Sequence, residues 1–127
     1  MLDTYADDFD YKITDYIFAQ PEHIEADAEV DRTMAIYQAS SNTSKSAWAS
    51  YEAHADKYAG REFILPLEQA EYERVTKRGE ELYKAYTDAE YKAIDDMNIM
   101  LDANTKRGDI FTKYMNKIDD AGDMVDD

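Results

Sequence analysis

The feature that most constrains the fold is a long segment between Pro66 and Asn104 in which apolar and small residues recur at the spacing of one helix face. Larger apolar residues and small residues recur there in alternating steps of three and four, at Tyr72, Val75, Gly79, Leu82, Tyr86, Ala89 and Ala93, and the stripe then shifts at Met97 and Leu101. This period is typical of one face of a helix that packs against another helix. It predicts a helix over about 66–104, roughly 57 Å long at 1.5 Å per residue. A helix of that length either bends at Gly79 or projects for assembly.

The first half of the chain also predicts helices, because glycine and proline are scarce and lie mostly between periodic runs. Apolar spacing predicts one helix over 2–18, and Pro21 suits the first turn of a second. The polar run 40–44 predicts a loop, since serine, threonine and asparagine bond their own backbone. A third helix carrying Trp48 is expected after this loop, with Gly60 as its C-terminal stop.

Beyond Gly60, residues 61–65 allow a short extended segment, because the residue before a proline is biased away from helix. Gly108 predicts a break before a last helix over 110–118. The expected fold is therefore all-α, with four to five helices packed on the long helix 66–104. We expect a single helical domain over 1–118, which residues 119–127 follow as an acidic tail.

Residues 24–31 leave two interpretations open, because polar and apolar residues alternate strictly there. Alternation is the strand period, and a helix places Glu25 with Glu29 and Asp27 with Asp31 as repelling pairs one turn apart. Alanine, however, forms helices better than strands, and the run continues without a turn signal. Helix is the favoured interpretation.

The negative charge lies at the two ends of the sequence. The net charge is −15; residues 1–31 hold ten acids against one lysine, and residues 119–127 hold five acids and no base. Residues 32–118 carry fourteen acids and thirteen bases, so the middle is nearly balanced. Such a distribution concerns partners and solubility rather than fold, and it disfavours direct binding of nucleic acid or an anionic membrane.

No residue pattern indicates catalysis, a metal or a cofactor. The chain has no cysteine, and His23 and His54 lack the Glu-x-x-His spacing of di-iron bundles. Residues 27–31 imitate the start of a calcium loop, but Arg32 and Gln38 stand where such a loop needs glycine and glutamate. Phosphate-binding loops and nucleophile elbows are also missing from the sequence. The expected protein is therefore not an enzyme and needs no cofactor.

The absence of an apolar run of membrane-spanning length, and of a signal-peptide pattern after Met1, favours a cytoplasmic or intravirion location.

The acidic N-terminal segment is the candidate partner-binding surface. In a helix Asp3, Asp7 and Asp10 share a face, and regularly spaced carboxylates can imitate the phosphates of DNA. The predicted contact set is Asp3, Asp7, Asp8, Asp10, Asp15, Glu25, Asp27, Glu29 and Asp31. Its expected partner is a basic protein surface that normally binds nucleic acid.

Small, cysteine-free, tyrosine-rich and very acidic helical proteins of this composition resemble the DNA-mimic inhibitors that phages use against host defence. The resemblance is one of composition, and it implies a non-enzymatic inhibitor that occupies a nucleic-acid-binding protein. The alternative is a helical structural or assembly component of a larger particle such as a virion, which homo-oligomerises through the long helix.

Overall fold

The computed structural model describes residues 12–126, and side chains as far as residue 121. These residues form three helices and no strand: α1 over 12–18, α2 over Pro21–Lys57 and α3 over Gln69–Asp126. The prediction of an all-α fold is confirmed, and residues 24–31 are helical. The prediction of four to five helices around a helix over 66–104 is wrong in number and bounds. Helix α3 starts three residues later and continues through Gly108 into the predicted acidic tail.

The predicted loop at 40–44 is also wrong, because this run lies inside α2. Its hydroxyl groups hydrogen-bond to carbonyl oxygens one turn earlier: Ser40 Oγ donates to the Ile36 carbonyl at 3.1 Å, and Thr43 Oγ1 donates to the Ala39 carbonyl at 3.0 Å. A hydroxyl bonded in this way no longer competes for the backbone groups that the helix needs. Polar residues therefore continue the helix here.

Helix α2 packs through a heptad stripe that is largely polar, which we call the α2 seam. Its members, all buried or half-buried, follow steps of three and four: His23, Ala26, Val30, Thr33, Tyr37, Ser40, Ser44, Ala47, Tyr51 and His54. The matching α3 seam consists of Val75, Gly79, Leu82, Tyr86, Ala89, Ala93, Asp96, Met100, Ala103, Arg107, Ile110 and Tyr114. This spacing is that of two helices packed as in a coiled coil.

The chain divides into two compact units. The described part of unit 1 comprises residues 12–34 and 99–126, and unit 2 is Ala35–Asn98. In unit 1, α2 and α3 run antiparallel, as two ion pairs show: Asp27 with Arg107 at 2.7 Å and Glu22 with Lys113 at 3.1 Å. Among its described residues, the buried apolar side chains are Ile17, Val30 and Ala103. Its apolar core is therefore small.

In unit 2 the two helices are again antiparallel, with aromatic rings on α2 against aromatic or small residues on α3. Trp48 and Tyr86 have ring centroids 4.9 Å apart, and Tyr51 and Tyr83 are 5.4 Å apart. His54 Nε2 lies 2.9 Å from the Val75 carbonyl. At Gly79 a Cβ atom would lie 3.5 Å from the His54 ring, an ordinary contact distance, so the packing leaves room for a small side chain there. Helix α3 is continuous through Gly79.

The connection between α2 and α3 starts at Gly60, whose φ of 72° needs the left-handed conformation that glycine adopts at helix ends. Helix α2 itself ends at Lys57, three residues before the predicted stop at Gly60. Residues 61–64 belong to no helix and form no strand, and residues 65–68 form turns that include a cis Leu65–Pro66 bond. Arg61 braces this loop through ion pairs with Glu68 at 3.2 Å and Glu71 at 2.9 Å.

Asp96 is an acidic residue within the α3 seam, and it pairs with groups from both helices. It accepts hydrogen bonds from Lys92 Nζ at 2.8 Å and from Ser40 Oγ, which lies on α2. These donors, Lys92 first, lower the pKa of Asp96. A lowered folded-state pKa means that this stabilisation is complete above the unfolded value of about 3.9 and is lost as pH falls through the folded value.

We therefore expect Asp96→Asn to be less stable than the wild type near pH 7, with the difference shrinking below about pH 4. Asparagine keeps an acceptor for Ser40 but loses the attraction to Lys92. Urea unfolding between pH 3 and 7 measures the effect, and Asp95→Asn, at an exposed neighbouring position, controls for the loss of one charge. A stability difference that does not change with pH would contradict this role of Asp96.

Candidate partner-binding surface

The predicted acidic contact set is only partly within the described residues. Asp3, Asp7, Asp8 and Asp10 lie outside them. Asp15 is exposed on α1, and the other members lie on α2, where Glu25, Asp27 and Asp31 are exposed and Glu29 is half-buried.

Helical geometry separates the four α2 acids into two rows. Residues two apart in a helix point about 200° apart, whereas residues four apart lie nearly above one another. Glu25 and Glu29 therefore form one row and Asp27 and Asp31 the other, and the two rows flank the α2 seam on opposite sides. The structure does not bring these carboxylates into the single line that a strand would have formed.

Basic residues neutralise part of this acidic surface. Asp27 pairs with Arg107, and Glu29 pairs with Arg32 in the next turn. A further acid, Glu22, accepts hydrogen bonds from Lys113 and from the Tyr114 hydroxyl, and these lower its pKa.

Within the described residues, three of the predicted acids form no ion pair: Asp15, Glu25 and Asp31.

The net charge is concentrated in the sequence of one unit. Segments 1–34 and 99–127 contain seventeen acids and six bases, a net charge of −11, whereas segment 35–98 contains twelve acids and eight bases, a net charge of −4. The two sets are almost equal in length, so unit 1 has the higher negative charge density. A basic partner is therefore attracted more strongly to unit 1 than to unit 2.

Unit 1 also contains an open groove of about 630 Å³, which the sequence patterns did not reveal. Aromatic rings lie at one end of it: Phe18 and Phe111 are 5.9 Å apart, and the buried His23 ring lies 4.9 Å from Phe18. The residues that line the groove are Phe18, His23, Ile24, Asp27, Asn104, Arg107, Gly108 and Phe111. An apolar concavity with a few converging polar groups is the usual form of a binding site.

The groove exists because α3 has a second stripe beside its seam. From Leu101 to Met115 this stripe lies one position after the seam residues, and it consists of Leu101, Asn104, Gly108, Phe111, Met115 and Ile118. Tertiary packing uses the seam, so Leu101 remains 48% exposed. The shift of the apolar pattern at Leu101 was the signal in the sequence, although by itself it could not show which stripe packs and which remains open.

Unit 2 presents a different apolar feature at its connecting loop. Ile64, Leu65 and Leu67 are 63%, 52% and 87% exposed, although Arg61 holds the loop in place. The Arg61 guanidinium also stacks on the Phe63 ring, with its central carbon 4.6 Å from the ring centroid. Large aliphatic side chains held in water by a braced loop are typical of an interaction surface.

Residues 12–126 contain no group of histidine and acidic residues arranged to hold a metal ion. None of the helices in this part of the chain has a stretch both long and apolar enough to cross a membrane.

No protein-family model matches the sequence, and no curated protein or solved structure is significantly similar to it.

Proposed function

We propose that this chain is a non-enzymatic acidic binding protein that occupies a basic, normally nucleic-acid-binding surface of another protein, as phage DNA-mimic inhibitors do. It would act in the cytoplasm of a host cell or inside a virion. The observation that carries the proposal is the charge difference between the segments of the two units, −11 against −4. A chain that needed acids only for solubility would not have to concentrate them in one unit.

The physical basis of inhibition is competition between fixed carboxylates and nucleic acid for the same cations. Asp15, Glu25 and Asp31 have no ion pair within the described residues, so their charges are available to a partner. Helices hold carboxylates at defined spacing, and long-range attraction raises the association rate of a cationic partner. Affinity gained in this way decreases as salt screens the charges.

A two-step experiment tests this function. Proteins retained on the immobilised chain at about 0.05 M salt and released at about 0.5 M are purified, and their binding to a fluorescent DNA duplex is measured with and without the chain. We expect the chain to displace the DNA. A partner that binds the chain and the DNA simultaneously would contradict occupation of the nucleic-acid-binding surface.

The apolar loop at residues 64–67 favours a second candidate, a helical assembly component of a larger particle. Its exposed aliphatic residues can join copies of the chain or neighbouring subunits. Light scattering over a range of concentrations tests this candidate. A stable oligomer that Leu67→Ser dissociates without lowering the melting temperature would support it, and a monomer at all concentrations would contradict self-assembly.

A further inference from the structure

We propose that the groove of unit 1 binds a three-turn amphipathic helix of the partner, with apolar residues at its two ends and basic residues between them. This inference rests on the proposed function, because it assigns to the acidic unit the part of the partner that it recognises.

The first argument is the order of residues along the two walls of the groove. On α2 the groove is lined by Ile24 and Asp27, and the exposed Asp31 and Met34 continue the same face of the helix beyond it. On α3 it is lined by Asn104, Gly108 and Phe111, and the exposed Leu101 continues that face. These two rows, each with steps of three, four and three, are the walls of the extended groove. Both walls lie one position beyond their seams, on the same side of the helix pair. Each wall is apolar at its two ends and polar or open in the middle.

The ion pairs of unit 1 establish the register between these walls. In the pairs of Asp27 with Arg107 and of Glu22 with Lys113, the two residue numbers add to nearly the same value. In that register Ile24 lies opposite Phe111, and Met34 lies opposite Leu101. The groove therefore has an apolar layer at each end.

Two layers that contain an aspartate lie between these ends: Asp27 is paired with Arg107 but its side chain remains 52% exposed, and Asp31 has no ion pair within the described residues. The same register places Asp27 opposite Gly108 and Asp31 opposite Asn104. A Cβ atom built at Gly108 would meet nothing within 4 Å, so the groove is open at this layer. Arg107 forms part of the wall, where Asp27 and the Asn104 side-chain oxygen, at 3.1 Å, hold its guanidinium. Asp31 remains available to a cation of the partner.

The dimensions suit a helix rather than an extended chain or a small ligand. From Leu101 to Phe111 the wall is ten residues long, about 15 Å or three helical turns. Apolar and acidic layers recur at the spacing of heptad positions, so a helix that lies along the groove meets them with residues at i, i+3, i+7 and i+10. The predicted recognition pattern is apolar-x-x-basic-x-x-x-basic-x-x-apolar, which reads the same in both chain directions.

Charge decides between a basic partner and a second copy of this chain. Two copies joined at this groove would bring together two units that each carry −11, which opposes association. A cationic helix instead pairs with Asp31 while its apolar residues cover Phe18 and Ile24, which are 49% and 54% exposed in the free chain. The groove thus complements a basic amphipathic helix in both charge and polarity.

Two fluorescent peptides of identical composition provide the test. The first carries leucine at i and i+10 and lysine at i+3 and i+7 on an alanine-glutamine background, and the second has the leucines and lysines exchanged. Anisotropy at about 0.1 M salt measures their affinities for the full chain. We expect the first peptide to bind at least tenfold more tightly, because only its pattern matches the layers.

Gly108→Leu blocks the groove without removing any charge. We expect this variant to lose at least tenfold in affinity for the first peptide while its melting temperature is unchanged or higher, since leucine favours helix more than glycine does. Asn116→Leu is the matched control, because it adds the same side chain at an exposed position of α3 outside the groove. This control should bind the peptide as the wild type does.

Equal binding of both peptides, with no effect of Gly108→Leu, would overturn the groove assignment and leave the proposed function intact, because charge alone would then account for binding. A chain that dimerises, and whose dimer Gly108→Leu dissociates, would identify a second copy as the occupant and also overturn the inference. A chain that displaces DNA from its captured partner but binds neither peptide would overturn the groove assignment alone. If the chain neither binds a peptide nor displaces DNA, the proposed function fails with it.

Discussion

Val30→Asp should unfold unit 1 or destabilise the protein by roughly 3–5 kcal/mol. Val30 is 2% exposed in the α2 seam, and it is one of three buried apolar side chains among the described residues of unit 1. Aspartate there loses apolar contacts and brings a carboxylate into a buried site, while the one arginine of the α3 seam, Arg107, is already paired with Asp27. Domains of this size have a total stability of about 5–15 kcal/mol, so the loss is a large fraction of it.

Urea unfolding and circular dichroism measure this effect, with Ala28→Asp as the control on the same helix. Ala28 is exposed two residues before Val30, so the same new side chain there faces water. We expect the control to cost less than about 1 kcal/mol, the difference in helix propensity between the two residues. Equal destabilisation by the two variants would mean that the seam is not the packed face of α2.

Removal of three acids from unit 1 should reduce the rate of association with the captured basic partner by about tenfold or more at low salt. The variant combines Asp15→Asn, Glu25→Gln and Asp31→Asn, which are exposed acids without an ion pair in the described residues. These substitutions remove charge from a surface that already carries an excess of it. The packing of the seams does not change, so the melting temperature should remain nearly constant.

The matched control removes the same three charges from unit 2. It combines Glu52→Gln, Asp56→Asn and Asp95→Asn, all at exposed positions. Stopped-flow experiments measure the association rates of the two variants at about 0.05 and 0.5 M salt. Salt screens the three acids of unit 1 and the three acids of unit 2 equally, so a difference between the variants reflects the position of the charges. We expect less than about a twofold change for the control. Equal effects would show that total charge rather than its position controls binding, and the DNA-mimic proposal would then lose its main support.

Much of the helical structure could be predicted from the sequence. In those segments the helix propensity of the residues and the spacing of the apolar side chains both favoured a helix. The run 24–31 is helical despite its alternating polarity, and α2 ends at Lys57, shortly before the left-handed Gly60. The stripe from Val75 to Ala93 is the seam of α3, and its members are buried or half-buried, whereas Tyr72 at its start is 42% exposed. In these segments a residue's own backbone preference and its position on the helix determined the outcome.

The apolar pattern failed where the seams become polar. Ser40 and Ser44 indicated a loop, but both occupy seam positions, and Asp96 on α3 accepts a hydrogen bond from Ser40. A buried hydroxyl costs little free energy when it has such a partner, and the partner lies 56 residues away in the chain. Local sequence could not reveal that pairing, so it could not predict the continuity of α2.

The groove shows most clearly what the sequence determined and what only tertiary structure decided. The sequence determined that the chain is helical, that its acids are concentrated at the two ends, and that α3 carries two adjacent stripes. Which stripe α2 covers was decided by the packing of the two helices, in which Asp27 pairs with Arg107 at 2.7 Å. Because packing covers the seam containing Arg107, the neighbouring stripe remains open at Gly108, and Leu101 on that stripe is 48% exposed.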